Sequence, residues 1–149
     1  MKTASEIMTA TPITVSPDTP IKEVARLMCE KKISGLPVVD GEGNLQGVVT
    51  ESDLIEGSKK LHIPTVINLL DSMIFLENPA RTDREMKKMT GSCAADVMTA
   101  NPITITAGTK IDEIATIMAE RKVHTLPVVD DSDRLIGIVG RDDIIKTLL

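Results

Sequence analysis

Few side chains in this chain stand where they could drive a reaction. The histidines are His62 and His124, and neither belongs to a Ser/His/Asp arrangement. The cysteines are Cys29 and Cys93, with no C-x-x-C spacing for metal or redox chemistry. The phosphate-cradling loop G-x-x-x-x-G-K-[ST] is absent. Asp130-Asp131-Ser132-Asp133 is acidic enough to suggest a calcium loop. It lacks the glycine and the closing glutamate at the required spacing, so it reads as a polar hairpin turn. What remains is Thr50-x-x-Asp53, a hydroxyl and a carboxylate three residues apart at an expected helix start. Spacing alone favours a capping box there, each side chain closing a backbone N–H of the other residue. Asp143 holds the equivalent place later in the chain, with Gly140 where Thr50 stands.

The elements that must position these residues occur twice. Met8-Thr9-Ala10-Thr11-Pro12-Ile13-Thr14 returns as Met98-Thr99-Ala100-Asn101-Pro102-Ile103-Thr104, and Leu36-Pro37-Val38-Val39-Asp40 returns as Leu126-Pro127-Val128-Val129-Asp130. The offset is 90 throughout, and 23 of the 51 positions from Ser5 to Ile55 are identical to their counterparts. Chance at ordinary composition gives about three or four, so the chain carries an internal duplication. In each unit a short helical turn ends near Met8 (Met98), and an extended piece follows at Ile13-Thr14-Val15 (Ile103-Thr104-Ile105). Thr19 reads as an N-cap and Pro20 as the first helical position. Ile21, Val24, Ala25 and Met28 then fall on one helical face, as do Ile111, Ile114, Ala115 and Met118. A Pro-marked strand, a polar turn, a returning strand (Leu45 to Val49) and a second helix complete a β-α-β-β-α unit. Two such units are expected to pack about a pseudo-two-fold axis, with a ligand cleft between them.

The chain has 149 residues, of which 42% are hydrophobic and 1% aromatic, Phe75 being the sole aromatic. The core must therefore be aliphatic, and aromatic platforms for stacking bases are excluded. A net charge of -5 argues against nucleic acid as a partner and against a polybasic membrane surface. The first residues show no apolar signal region, and no apolar run approaches the ~20 residues that span a bilayer. With so few cysteines we expect a reduced, cytoplasmic protein, with Cys29 as a small buried apolar residue.

Two copies of Met-Thr-x-x-Pro-Ile-Thr, an amphipathic helix, and Leu-Pro-Val-Val-Asp-x-x-x-x-Leu-x-Gly-x-Val-x-x-x-Asp resemble a tandem pair of CBS domains, the Bateman module. The resemblance implies a mixed α/β (α+β) fold of two β-α-β-β-α repeats. It implies a regulatory module, not an enzyme, with no required cofactor or metal. Its effector would be an adenosine-containing ligand: AMP, ADP, ATP, S-adenosylmethionine or cyclic di-AMP. Occupancy would be passed to a regulated enzyme, channel or transporter.

The family's ligand motif, Gly-x-x-Thr/Ser-x-x-Asp, corresponds to Gly47 through Asp53. The resemblance then makes Asp53 a ribose ligand, and Thr50 and Ser52 phosphate ligands beside a helix N-terminus. In the second copy, Gly137 through Asp143, Asp143 keeps the ribose position. Gly140 removes a hydroxyl and Asp142 replaces Ser52 with a carboxylate; Arg141 is the residue that could offset it. The two sites are therefore expected to be unequal. His124, whose counterpart is Ser34, and Lys122, whose counterpart is Lys32, are the further phosphate candidates. Adenine would fall to the backbone around Ile13, Thr14, Ile103 and Thr104, with Ile33, Val38, Val123 and Val128 as walls. Plain core packing competes with that role at each of these apolar positions.

The expected divisions are a first repeat over 1–60, a largely helical linker over 61–91 and a second repeat over 92–149. The linker holds Val66, Leu69, Leu70, Met73 and Ile74, apolar over more than one stripe, which requires broad burial. That helix, and those of the pair, suggest a homodimer. The rival reading is a ligand-independent docking or dimerisation module.

Overall fold

The computed structural model describes residues 1–60 and 92–149; the expected linker helix over 61–91 lies outside the described residues. Each repeat begins with one helical turn, α1 (Ala4–Ile7) and α4 (Ala94–Val97), and runs straight into a two-residue strand, β1 (Thr9–Ala10) and β4 (Thr99–Ala100). The apolar face read from the sequence becomes α2 (Ile21–Lys31) and its copy α5 (Ile111–Arg121). Val24 and Ile114 at the middle of those faces are fully buried. Both helices stop at a lysine, Lys32 and Lys122, in the left-handed conformation. The helix starts one residue later than expected: Pro20 is the N-cap, and Thr19 instead accepts a hydrogen bond from the Ser16 N–H at 3.0 Å.

The hairpins follow as β2 (Gly35–Val39) with β3 (Leu45–Thr50), and β5 (Thr125–Val129) with β6 (Leu135–Gly140). Each is antiparallel, with a register shift at Val38/Val39 and at Val128/Val129. Each returning strand leads directly into a helix, α3 (Glu51–Lys60) or α6 (Arg141–Lys146). The extended pieces at 13–15 and 103–105 contribute single parallel bridges, Val15 to Val38 and Ile105 to Val128, rather than full strands.

The third strand of each sheet comes from the other repeat. The sheets are ordered β1-β6-β5 and β2-β3-β4, so β1 completes the second repeat's sheet and β4 the first's. The helical turns travel with their strands. Ala4 is buried in the core with Ile105, Ile114, Leu126, Val128 and Val139, while Ala94 is buried with Val15, Val24, Leu36, Val38 and Val49. Matching backbone bonds seal both docks: Ala4 N–H to Thr109 O at 2.8 Å and Ala94 N–H to Thr19 O at 2.8 Å. The hairpin tips also touch, with Leu45 N–H donating to Asp133 O and Leu135 N–H to Gly43 O.

Both cores are wholly aliphatic, and no polar or charged residue is buried among the described residues. Cys29 departs from expectation. It is exposed, because it lies one residue past Met28 and so turns about 100° off the apolar face.

Candidate functional site

The capping box expected from Thr50-x-x-Asp53 is closed. The Thr50 N–H donates to Asp53 Oδ2 at 2.9 Å, and the Asp53 N–H donates to Thr50 Oγ1 at 3.2 Å. The exchanged strand adds a third partner, since the Thr99 hydroxyl donates to the same carboxylate at 3.2 Å. In the second repeat half of the box survives: the Gly140 N–H donates to Asp143 Oδ2 at 2.7 Å, and glycine offers no hydroxyl in return. The next N–H on each helix is also used, Glu51 bonding Ser34 O and Arg141 bonding His124 O, both at 3.0 Å. Helix starts that could hold a phosphate therefore spend several of their donors internally.

Beside these two helix starts lie two cavities related by the repeat. The first, of 260 Å³, is mainly aliphatic, with Val48, Ile103, Val123 and Leu126 in its walls. Its polar lining includes Thr50, Glu51, Thr99, Lys122 and His124. The second, of 340 Å³, is the polar one. Lys32, Arg141 and Lys146 face it, and so do Glu51, Asp142 and Asp143. Several linings correspond at the offset of 90: Val48 with Ile138, Thr50 with Gly140, Lys122 with Lys32, and Thr99 with Thr9.

Strand exchange makes each cavity composite. Thr50 comes from the first repeat's motif, but Ile103, Lys122 and His124 beside it come from the second. Read along the sequence, His124 belongs with the Asp143 motif; the structure sets it across from Thr50. Arg141 and Asp143 in turn share their cavity with Lys32 and Ile33 of the first repeat.

Other candidates do not line either cavity. Val38 and Val128 are fully buried in the two cores, because the middles of β2 and β5 face the helices α2 and α5. Val48 and Leu126 stand where those walls were expected. Ile13, Thr14, Ser52 and Thr104 are exposed and lie outside both linings. The sequence reading missed Glu51, which lines both cavities, and Thr99, which caps Asp53. The charge reversal between Glu51 and its counterpart Arg141 was the available signal for the first. Nothing local could signal Thr99, whose partner is 46 residues away.

Among the described residues no cluster of three His, Cys, Asp or Glu could hold a metal ion. Among them, too, no helix is long and apolar enough to cross a membrane.

Residues 4–60 and 94–149 match the family model described as CBS domain. Over 145 residues the chain is 32% identical to the uncharacterized protein MJ1426 of Methanocaldococcus jannaschii, covering 93% of this chain and 86% of that one. It is 31% identical over 141 residues to the CBS domain-containing protein CBSX2, chloroplastic, of Arabidopsis thaliana. That alignment takes in 91% of this chain but 58% of the plant protein. The crystal structure of CBSX2 in complex with AMP matches with a TM-score of 0.76 and 28% identity, covering 99% of this chain and 96% of that one. The CBS domain pair of protein MJ0100, solved in complex with 5'-methylthioadenosine and S-adenosyl-L-methionine, matches with a TM-score of 0.71 and 26% identity. There the coverage is 99% of this chain and 96% of that one.

Proposed function

The chain belongs to the CBS domain family as a tandem pair, and from that premise we propose that it is a regulatory module that binds an adenosine-containing small molecule between its repeats. The observation that carries this reading is the aliphatic cavity built from both repeats. Val48, Ile103 and Val123 line it, aliphatic walls suited to a flat base in a chain with one aromatic residue, and Pro102 and Ile103, to whose backbone we assign reading of the base edge, line it too. Thr50 lines the same cavity, and its hydroxyl donates at 3.1 Å to the Asp53 carboxylate, which itself lies outside the lining. We assign ribose to Asp53 there and to Asp143 in the polar cavity. Lys122 and His124, and across the fold Arg141 with Lys32, take the ligand's polar tail. The AMP held by CBSX2 and the adenosine compounds held by the MJ0100 pair support this ligand class.

A composite site gives a ligand a way to act on a partner. Each cavity takes walls from both repeats, so a ligand that bridges them favours one relative setting of the halves over others. A regulated enzyme or transporter that docks on the pair would read that setting. This reading has no catalytic step. We further infer a homodimer through the helices, where Ile55 and Ile145 are exposed. Light scattering at micromolar concentration should then give twice the 16.1 kDa chain mass, and a monomer mass rejects the dimer.

The test of the ligand reading is a thermal-shift panel of AMP, ADP, ATP, S-adenosylmethionine and cyclic di-AMP. A binder raises the melting temperature by mass action. The absence of any shift at millimolar concentration would favour the ligand-independent docking module instead.

A further inference from the structure

Glu51 holds a position no other charged residue shares: among the described residues it is the one charged side chain that lines both cavities. It is exposed, stands at the first position of α3, and makes no ion pair within 4 Å among the described residues. The Lys and Arg residues that share these linings are Lys122 in the aliphatic cavity and Lys32, Arg141 and Lys146 in the polar one, which Asp142 and Asp143 also line.

A second observation points the same way. A phosphate at a helix start is held by free N–H groups. At α3 the N–H groups of Thr50, Glu51 and Asp53 are bonded to Asp53, Ser34 and Thr50 respectively. At α6 those of Gly140 and Arg141 are bonded as well. Five N–H groups at the two helix starts are thus already engaged, and a carboxylate outside any ion pair among the described residues lines both cavities.

We propose that Glu51 is a specificity-determining residue that sets ligand preference by charge, disfavouring each added phosphate in both cavities. The protein then selects adenosine compounds with little or no phosphate charge over triphosphates. This rests on the adenosine reading above and names the subclass within it. The mechanism is electrostatic: a carboxylate in the wall raises the free energy of an anionic tail and leaves an uncharged tail nearly untouched. Because Glu51 is exposed, the effect is screened by salt and modest for each charge.

Calorimetric titration of the full chain with adenosine, AMP and ATP in magnesium-free buffer tests it, comparing the parent with Glu51→Gln and Glu51→Asp. Affinity in the parent should fall from adenosine to ATP. In Glu51→Gln the ratio of ATP to adenosine affinity should rise roughly five- to tenfold, while Glu51→Asp keeps the parent's ratio. Raising the salt concentration should shrink the difference between parent and Glu51→Gln, which a purely structural effect of the substitution would not do. An unchanged ratio in Glu51→Gln, or a parent that prefers ATP, overturns the assignment and leaves the adenosine reading standing. Failure of all three ligands to bind either protein, together with no shift across the thermal panel, overturns both.

Discussion

Asp53 caps α3, and in the proposed reading the same carboxylate holds ribose; the two roles can be measured apart. It accepts the Thr50 N–H, the Thr50 hydroxyl and the Thr99 hydroxyl, so it fastens the start of α3 to β3 and to the exchanged strand β4. Its counterpart Asp143 accepts the Gly140 N–H. Asp53→Ala should therefore cost about 1–2 kcal/mol of stability in urea unfolding, the upper range for loss of a cap, and Asp143→Ala less. In calorimetry each substitution should also remove one ligand-binding event; two variants that bind like the parent would discard the ribose assignment. Asp40 makes a second case at this scale. The Asn44 N–H and side-chain amide, with the N–H groups of Glu42 and Gly43, hold its carboxyl below the usual aspartate value. A group with a depressed native pKa contributes stability that is present above its unfolded value and is lost as pH falls through the native one. NMR titration should find the Asp40 carboxyl titrating below the ordinary aspartate range, and the hairpin turn loosening only on acidification past that point. A midpoint at the ordinary value would mean that the turn bonds do not form in solution.

Among the elements, the two-residue strands β1 and β4 depend on glycine opposite them. Gly47 pairs with Ala100 and Gly137 with Ala10. A Cβ on Gly47 would lie 2.7 Å from both Met98 Sδ and the Thr99 carbonyl oxygen, and one on Gly137 would lie 3.1 Å from the Thr9 carbonyl oxygen. At Gly47 a backbone carbonyl cannot swing aside, so the exchanged strand must move off; at Gly137 the Met8 side chain must turn away and the carbonyl give by a few tenths of an ångström. Gly47→Ala and Gly137→Ala should each destabilise by about 1–3 kcal/mol, the usual cost of overpacking. Gly41→Ala, with nothing within 4 Å of the new Cβ, is the control and should stay within about 0.5 kcal/mol of the parent. Equal effects at all three positions would show that close approach is not what the glycines serve. These strands also mark how far the sequence could be read. The α2 and α5 faces and the hairpins were legible because their signals, 3.6-residue spacing and Pro-flanked β-branched runs, are local and were printed twice. The strand at Thr9–Ala10 was not, because two exposed residues carry no alternation and their partner, Ile138 with Gly137, is more than 120 positions away. The cavities inherited that blindness. The sequence named Thr50, Asp53, Asp143, Lys122 and His124, but not which of them face one another. It gave Val38 and Val128 a wall's role because a buried strand residue and a cavity-lining one look alike in a run of valines.

For the whole molecule, strand exchange means that neither repeat is finished by its own chain segment. The first core takes Ala94, with Val97 and Met98 packed against it, and the second takes Ala4, with Ile7 and Met8. The hairpin tips add a second tie through the Asn44–Arg134 bridge, three residues along each hairpin from the glycines that pair with the exchanged strands. Loosening one core therefore strips the other of part of its lining and of an edge strand. Domains joined only by a linker would behave differently, each with its own transition. Ile114→Ala in the second core should cost about 2–5 kcal/mol and Val24→Ala in the first about 2–3 kcal/mol, by lost burial and the cavity left behind. The interlock predicts that either variant keeps a single unfolding transition, seen at one midpoint by far-ultraviolet circular dichroism and by the NMR methyl signals of Leu36, fully buried in the first core. It also predicts that Ile114→Ala lowers the midpoint reported from Leu36, although the two residues lie in different repeats. If Ile114→Ala splits the transition and Leu36 keeps the parent's midpoint, the repeats fold independently. The exchanged strands would then be too weak a tie to carry a ligand's effect from one half to the other.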